Sequence, residues 1–165
     1  MENALELFGR KALSKYSVQD IMRCNEETEA YGLVLTQEQA LELVETRNIA
    51  LKDAGRLEFG EGVIGKLIRA FCDSPYLTPR NYASTLHSLV EIFYAYKNET
   101  LDRLSDDELI HFLRSVFDMP CQGSAELLGG TVMDWVARAI RRGRYPDKGD
   151  LIKELYGNEA WRWLT

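Results

Sequence analysis

The chain has 165 residues, of which 45% are hydrophobic and 28% charged, with 12 Gly and 4 Pro. This composition excludes disordered, collagen-like and disulfide-scaffold proteins, and a chain of this length can bury enough surface to fold without a metal or a disulfide. Its 20 Lys and Arg residues against 26 Asp and Glu residues give a net charge of −6, which disfavours broad binding to phosphate backbones.

Signals for helix starts and stops follow one another along the chain. Thr36 and Ser105 are each followed three residues later by Gln39 or Glu108, which is the capping-box pattern. The N-cap residues predicted in this way are Ser17, Thr36, Thr78, Ser105 and Ser124. The predicted stops are Gly32, Gly55, the Ser74-Pro75 pair and Gly143.

Apolar residues between these signals repeat with helical spacing, whereas strand signals are weak. Residues 33–35 and 57–59 look extended, but three residues are at the short limit for a strand. The sequence predicts an all-α fold, a compact bundle of about seven helices forming a single domain over residues 1–165. The two extended runs could pair as one very short two-stranded ribbon. The stretch 151–164 is predicted to be a broken helix that docks Trp161 or Trp163.

The first residues of the chain do not have the basic and apolar regions of a signal peptide. No apolar run reaches the roughly 18 residues that a membrane helix needs. We therefore expect a cytoplasmic protein that has no membrane partner.

The sequence gives little support for a metal site, a reactive thiol or a nucleotide-binding site. Three scattered cysteines and two histidines do not have zinc-ligand spacing, so no metal site is predicted. Cys121 precedes the predicted helix start at Ser124, where the helix dipole could lower a thiol pKa, but no nucleophile signature surrounds it. An inert loop thiol is the favoured interpretation.

The run 60–65 satisfies G-x-G-x-x-G, yet no βαβ unit contains it and Glu61 places a carboxylate where a phosphate would bind. No catalytic residue and no cofactor are predicted.

One polar cluster surrounds the exit of the second predicted helix. Asn48 falls on an apolar stripe, where a polar side chain must find partners. The favoured interpretation is a half-buried ion-pair network that fixes the turn. The alternative is a pocket in which an arginine binds an anion or a carboxylate. The candidate ligand-binding residues are Arg47, Asn48, Arg56 and Glu58.

A basic segment runs from residue 138 to residue 148. It carries an excess of four positive charges, so the rest of the chain has a net charge of −10. The favoured interpretation is a solvated helix end, because basic residues at a helix C-terminus complement its dipole. A docking site for an acidic partner or for self-association is the second, and binding of nucleic acid or phosphate the weakest. The candidate docking residues are Arg138, Arg141, Arg142 and Arg144.

The string Arg47-Asn48-x-x-Leu51-x-x-x-Gly55-Arg56-x-Glu58-Phe59-Gly60 resembles part of an uncharacterised bacterial family found mainly in Firmicutes. The runs 73–76 (DSPY), 97–100 (KNET), 106–109 (DDEL) and 121–124 (CQGS) fit the same pattern, which covers most of the chain apart from its two ends. The resemblance implies a bacterial cytosolic protein and transfers no mechanism, because the family has no assigned activity.

The resulting functional hypothesis is a non-enzymatic helical interaction or regulatory protein that acts through a protein partner or as a homodimer. It rests on the absence of a catalytic constellation, a metal spacing and a cofactor motif. The alternative is a small-molecule binding protein or enzyme with a pocket near Arg47, Asn48, Arg56 and Glu58. Binding of nucleic acid through residues 138–148 is a third and weaker hypothesis.

Overall fold

In a computed structural model of the chain, the regular secondary structure of the described residues is helical. The structure describes residues 17–58, 62–100, 102–157 and 159. No strand occurs among these residues, which confirms the predicted all-α fold. The helices are α1 (17–23), α2 (Asn25–Thr28), α3 (Gln37–Ala54), α4 (Gly62–Phe71), α5 (Tyr82–Glu99), α6 (Asp106–Asp118), α7 (Ala125–Leu127), α8 (Met133–Arg141) and α9 (Lys148–Tyr156). A 3-10 turn, Glu29–Tyr31, follows α2, and a π-helical segment, Leu128–Val132, joins α7 to α8.

The chain divides into two compact units, Met1–Tyr94 and Ala95–Thr165, with the boundary inside α5. The single domain over residues 1–165 stays a prediction. Fully buried apolar side chains of the first unit include Ile21, Leu43, Ile64, Phe71 and Leu86. Those of the second unit include Leu113, Phe117, Leu128, Val136 and Leu151. None of the described helices is long and apolar enough to cross a membrane.

The two predicted capping boxes both form. The Thr36 hydroxyl accepts from the Gln39 N–H at 3.1 Å, and the Gln39 side chain accepts from the Thr36 N–H at 2.9 Å. Ser105 and Glu108 exchange the same pair of hydrogen bonds at 3.1 and 3.0 Å. The hydrogen bonds from Ser105 lower the pKa of the Glu108 carboxyl, because they stabilise its charged form. Gly55 ends α3 in the left-handed conformation, at φ +67°.

The predicted two-stranded ribbon does not form in the described residues, which exclude Phe59. Residues of α2 form hydrogen bonds with the backbone N–H and C=O groups of Leu33 and Leu35, which pairing with a second strand would require. Asn25 accepts from the Leu35 N–H and donates to the Leu35 carbonyl, both at 2.9 Å. Thr28 donates its hydroxyl to the Leu33 carbonyl at 2.6 Å, and the Leu33 N–H donates to the Thr28 carbonyl. The extended run is therefore paired with its own preceding helix.

Two predicted helix boundaries differ from the structure. Helix α5 begins at Tyr82 and not directly after Thr78, because Asn81 closes a turn with Thr78 through reciprocal side-chain hydrogen bonds of 2.9 and 3.3 Å. Helix α9 begins at Lys148, three residues before the predicted stretch, and runs to Tyr156. The predicted docking of Trp161 or Trp163 lies outside the described residues.

The π-helical segment leads directly into helix α8. Ser124 caps α7 through the Leu127 N–H at 3.1 Å, as predicted. In the π segment, the Tyr96 hydroxyl shares its one hydrogen between the Gly129 carbonyl and the Asp134 carboxylate, the latter at 2.9 Å. These contacts lie within the second unit and fix the start of α8.

Candidate functional site

The first predicted cluster lies where α3 ends and α4 begins. Arg47 is buried, and its Nη2 donates to the Ser17 hydroxyl at 2.9 Å. Glu58 Oε1 accepts from the Val63 N–H at 2.9 Å, and the Tyr94 hydroxyl donates to Glu58 Oε2. The Glu58 carboxylate therefore caps the N-terminus of α4, where a negative charge is favoured.

Gly62 lies beside the Arg47 and Glu58 side chains, where a larger residue would meet both of them. A Cβ built at Gly62 would lie 2.1 Å from Glu58 Oε1 and 3.2 Å from Arg47 Nη1. The backbone there has φ +52°, which L side chains rarely adopt. The structure thus brings the side chains of Arg47 and Glu58 to the same glycine.

Asn48 and Arg56 complete the predicted set. Asn48 is half-buried on α3, and no hydrogen bond joins its side chain to the described part of the chain. The Arg56 backbone N–H donates to the Leu51 carbonyl at 2.9 Å and closes the end of α3 beside Gly55. Ligand binding at Arg47, Asn48, Arg56 and Glu58 stays a prediction.

The basic segment forms part of a cleft between α8 and α9, both in the second unit. We call this cavity of about 450 Å³ the α8–α9 cleft. It is lined by Trp135, Arg138, Ala139, Arg142, Arg144, Tyr145, Asp150, Lys153 and Glu154. Three of the four predicted docking residues are therefore brought together.

A glycine turn positions the arginines. Arg138 and Arg142 are four residues apart, which places them on one face at the end of α8. Gly143 then adopts φ +78°, and its N–H donates to the Ile140 carbonyl at 2.9 Å. The Arg144 N–H donates to the Ala139 carbonyl at 2.9 Å, completing a Schellman turn that carries Arg144 back to the same cleft.

The opposite wall belongs to α9. Asp147 caps this helix by accepting from the Asp150 N–H at 3.0 Å. The spacing of Asp150, Lys153 and Glu154 places all three on one helix face. Two carboxylates and one ammonium group therefore face the arginines.

The charges of the α8–α9 cleft do not balance. Arg138, Arg142, Arg144 and Lys153 are exposed, and none of them forms a salt bridge with a described residue. Four cationic side chains and two carboxylates line the cleft, which leaves an excess of two positive charges. An anion that enters the cleft meets cations that have not already been neutralised.

Two aromatic side chains frame this charged surface. Trp135 is buried, and its indole N–H donates to Glu154 Oε2, which fixes that carboxylate against the wall. Tyr145 follows the glycine turn and is 70% exposed. A fixed indole beside a solvent-exposed phenol ring is typical of contact surfaces for other molecules.

Two members of the basic segment lie elsewhere. Arg141 is absent from the cleft lining and donates its Nη2 to Glu99. Lys148 donates to the Ser115 carbonyl at 3.2 Å. Arg141 therefore does not line the α8–α9 cleft, and docking of a partner at Arg138, Arg141, Arg142 and Arg144 stays a prediction. The sequence interpretation also missed the α9 wall, because the spacing of residues 150, 153 and 154 indicates a shared helix face but not its position beside α8.

Cys121 has the environment of an unreactive thiol. It is buried, and this burial raises its pKa to about 12, although the nearby Lys148 acts in the opposite direction. Its thiol is therefore protonated at neutral pH. No group of three or more potential metal ligands occurs among the described residues.

Comparison with known proteins identifies the family. Residues 20–146 match the family of unknown function DUF6323, a span that includes α8 and its arginine turn but not α9. No curated protein and no solved structure matches the chain. Because the matched span exceeds half of the sequence, the chain belongs to the family of unknown function DUF6323.

Proposed function

We propose that this chain is a non-enzymatic interaction protein that holds an acidic segment of a protein partner in the α8–α9 cleft. The observation that carries the proposal is the convergence of Arg138, Arg142, Arg144 and Lys153 on one cleft. None of these groups is neutralised by a salt bridge to a described residue. An acidic partner would supply the missing counter-charges.

The residue types support this assignment. Guanidinium groups bind carboxylates through two parallel hydrogen bonds, which gives orientation as well as attraction. Arg, Tyr and Trp are also the residues most enriched at the energetic centres of protein interfaces. Tyr145 and Trp135 supply apolar surface next to the charges, so that the cleft can contact both the acid and its neighbouring side chains.

The surroundings favour a protein over the other two ligand classes. Small-molecule sites are mostly apolar with few polar groups, whereas charged side chains dominate this cleft. Nucleic acid would approach a chain whose residues outside the basic segment carry a net charge of −10. An acidic peptide segment needs only the local positive surface.

The proposal is tested by fluorescence polarisation with a labelled hexaglutamate peptide. We expect binding that weakens as salt is added, because the attraction is between exposed charges. Arg142→Ala should weaken binding roughly fivefold to tenfold, since it removes one charged contact. Arg141→Ala is the matched control, because Arg141 lies on the same helix but outside the cleft, and it should bind like the natural chain.

Two outcomes contradict the proposal. Equal losses in Arg141→Ala and Arg142→Ala would show a general charge effect and no specific cleft. Tighter binding of single-stranded RNA than of the hexaglutamate peptide would assign the arginines to nucleic acid. Circular dichroism on both variants confirms that the helices are retained.

A cytoplasmic location is a separate part of the proposal. No disulfide joins Cys24, Cys72 and Cys121, which is typical of proteins in a reducing compartment. Fractionation of cells that express the natural chain tests the location. Recovery in a membrane or secreted fraction would contradict it.

A further inference from the structure

We infer that the acidic group held in the α8–α9 cleft is a phosphate monoester on the protein partner, such as a phosphoserine side chain. This inference rests on the proposed docking function and adds the chemical class of the ligand. Three features of the cleft support it: the charge, the number of donors, and the position of the α9 carboxylates.

The charge of the cleft matches a dianion. Its four cationic side chains and two carboxylates leave two positive charges in excess. A phosphate monoester carries about −1.5 to −2 charges at neutral pH, whereas one Asp or Glu side chain carries a single charge. One phosphate group therefore balances the cleft, and one carboxylate leaves it positive.

The donors also match a phosphate. Arg138 and Arg142 share a helix face, and the turn at Gly143 brings Arg144 to the same cleft. Each guanidinium presents a planar fork of N–H donors. A phosphate monoester offers three terminal oxygens to such forks, while a carboxylate offers two. Arginine clusters of this kind are the usual recognition element for phosphorylated segments.

The two carboxylates determine where in the cleft the phosphate binds. Glu154 is fixed by the Trp135 indole N–H on the α9 wall, and Asp150 lies one turn earlier on the same helix. Both repel a dianion from that wall and direct it to the arginines of α8. Their oxygens can accept N–H groups of the partner backbone, which places the partner chain along α9.

The inference is tested by isothermal titration calorimetry with three peptides that differ at one site. The site holds a phosphoserine, a pair of glutamates with the same total charge, or an unmodified serine. We expect the phosphoserine peptide to bind the full chain at least about tenfold more tightly than the diglutamate peptide, because the arginine forks engage more oxygens. The unmodified peptide should not bind measurably.

Replacing an arginine by lysine separates the effect of the positive charge from that of the planar guanidinium group. Arg142→Lys keeps the charge but loses the fork, so it should weaken the phosphoserine peptide roughly tenfold and the diglutamate peptide much less. Arg141→Lys is the matched control outside the cleft and should change neither affinity. Circular dichroism of both variants verifies that a loss of affinity does not come from unfolding.

The possible failures are distinguishable. Equal affinity for the phosphoserine and diglutamate peptides would overturn the phosphate assignment and leave the docking of an acidic segment intact. Binding of no peptide at all would overturn both proposals. Phenyl phosphate that binds as tightly as the phosphoserine peptide would overturn the assignment to a protein segment.

Discussion

Burial decides the chemistry of individual cysteines in this chain more than their position in the sequence does. Cys121 stands just before a helix start, where a dipole could activate a thiol, yet burial raises its pKa to about 12. The sequence shows the neighbouring Ser124 cap but not the depth of burial, because burial depends on packing. The inert thiol was the favoured interpretation, and the raised pKa agrees with it.

We predict that Cys72 is alkylated before the other two cysteines in the native protein. Cys72 is half-exposed, whereas Cys24 and Cys121 are 1% and 3% exposed. A raised folded pKa also keeps the Cys121 thiol protonated, so that it gains reactivity only as the pH rises toward about 12. Iodoacetamide labelling at mildly alkaline pH followed by peptide mass spectrometry measures the order. Labelling of Cys121 ahead of Cys72 would be inconsistent with this account.

At the scale of elements, Gly62 at the start of α4 and Gly130 in the π-helical segment should respond to alanine in opposite ways. In Gly62→Ala, the new Cβ would lie 2.1 Å from the Glu58 carboxylate at a backbone φ of +52°. We expect a loss of roughly 1–3 kcal/mol in the free energy of unfolding, from strain and from a disturbed cap. In Gly130→Ala, no atom other than those of its chain neighbours and its own helical backbone lies within 4 Å of the new Cβ. Here we expect a gain of up to about 1 kcal/mol.

Urea denaturation of the two alanine variants measures both effects. Gly130→Ala serves as the control for the general effect of replacing glycine in a helix. If both variants gained stability, Glu58 would not be held against the Gly62 backbone in the way described. If both lost stability equally, the π-helical segment would be as intolerant as the α4 cap.

Helix boundaries were predictable where the capping groups are local in sequence. The boxes at Thr36 and Ser105 involve residues three positions apart, so the sequence alone reveals them. Helix α5 was predicted three positions early, because Thr78 and Asn81 close a separate turn before the helix through reciprocal hydrogen bonds. The π-helical segment was not predicted at all. It depends on Tyr96, which is more than thirty residues away.

For the candidate site, the charge of the sequence located one wall but not the other. Arg138, Arg142 and Arg144 stand out in a basic segment. Asp150 and Glu154 become part of the same cleft only through the turn at residues 142–147, and a glycine stop in the sequence does not give the direction in which the next helix runs. Arg141 contacts Glu99, which is more than forty residues away in the sequence, and does not line the cleft. Residue spacing alone could not separate Arg141 from its neighbours.

For the whole molecule, the net charge of −6 is an average over two different regions. The basic segment has an excess of four positive charges, and the remaining chain has a net charge of −10. A long acidic polymer is repelled by most of the molecule, while a short acidic segment can approach the α8–α9 cleft alone. Charge segregation of this kind favours local docking over broad electrostatic binding.

Mapping the bound hexaglutamate peptide by NMR shows whether the α8–α9 cleft is where an acidic segment binds. The amide and indole resonances of the full chain are followed during a titration with the peptide. The account predicts that the largest shifts fall between residues 135 and 154, including the Trp135 indole N–H that holds Glu154. Largest shifts around Arg47 and Glu58, or no shifts in α8 and α9, would contradict the assignment of the cleft.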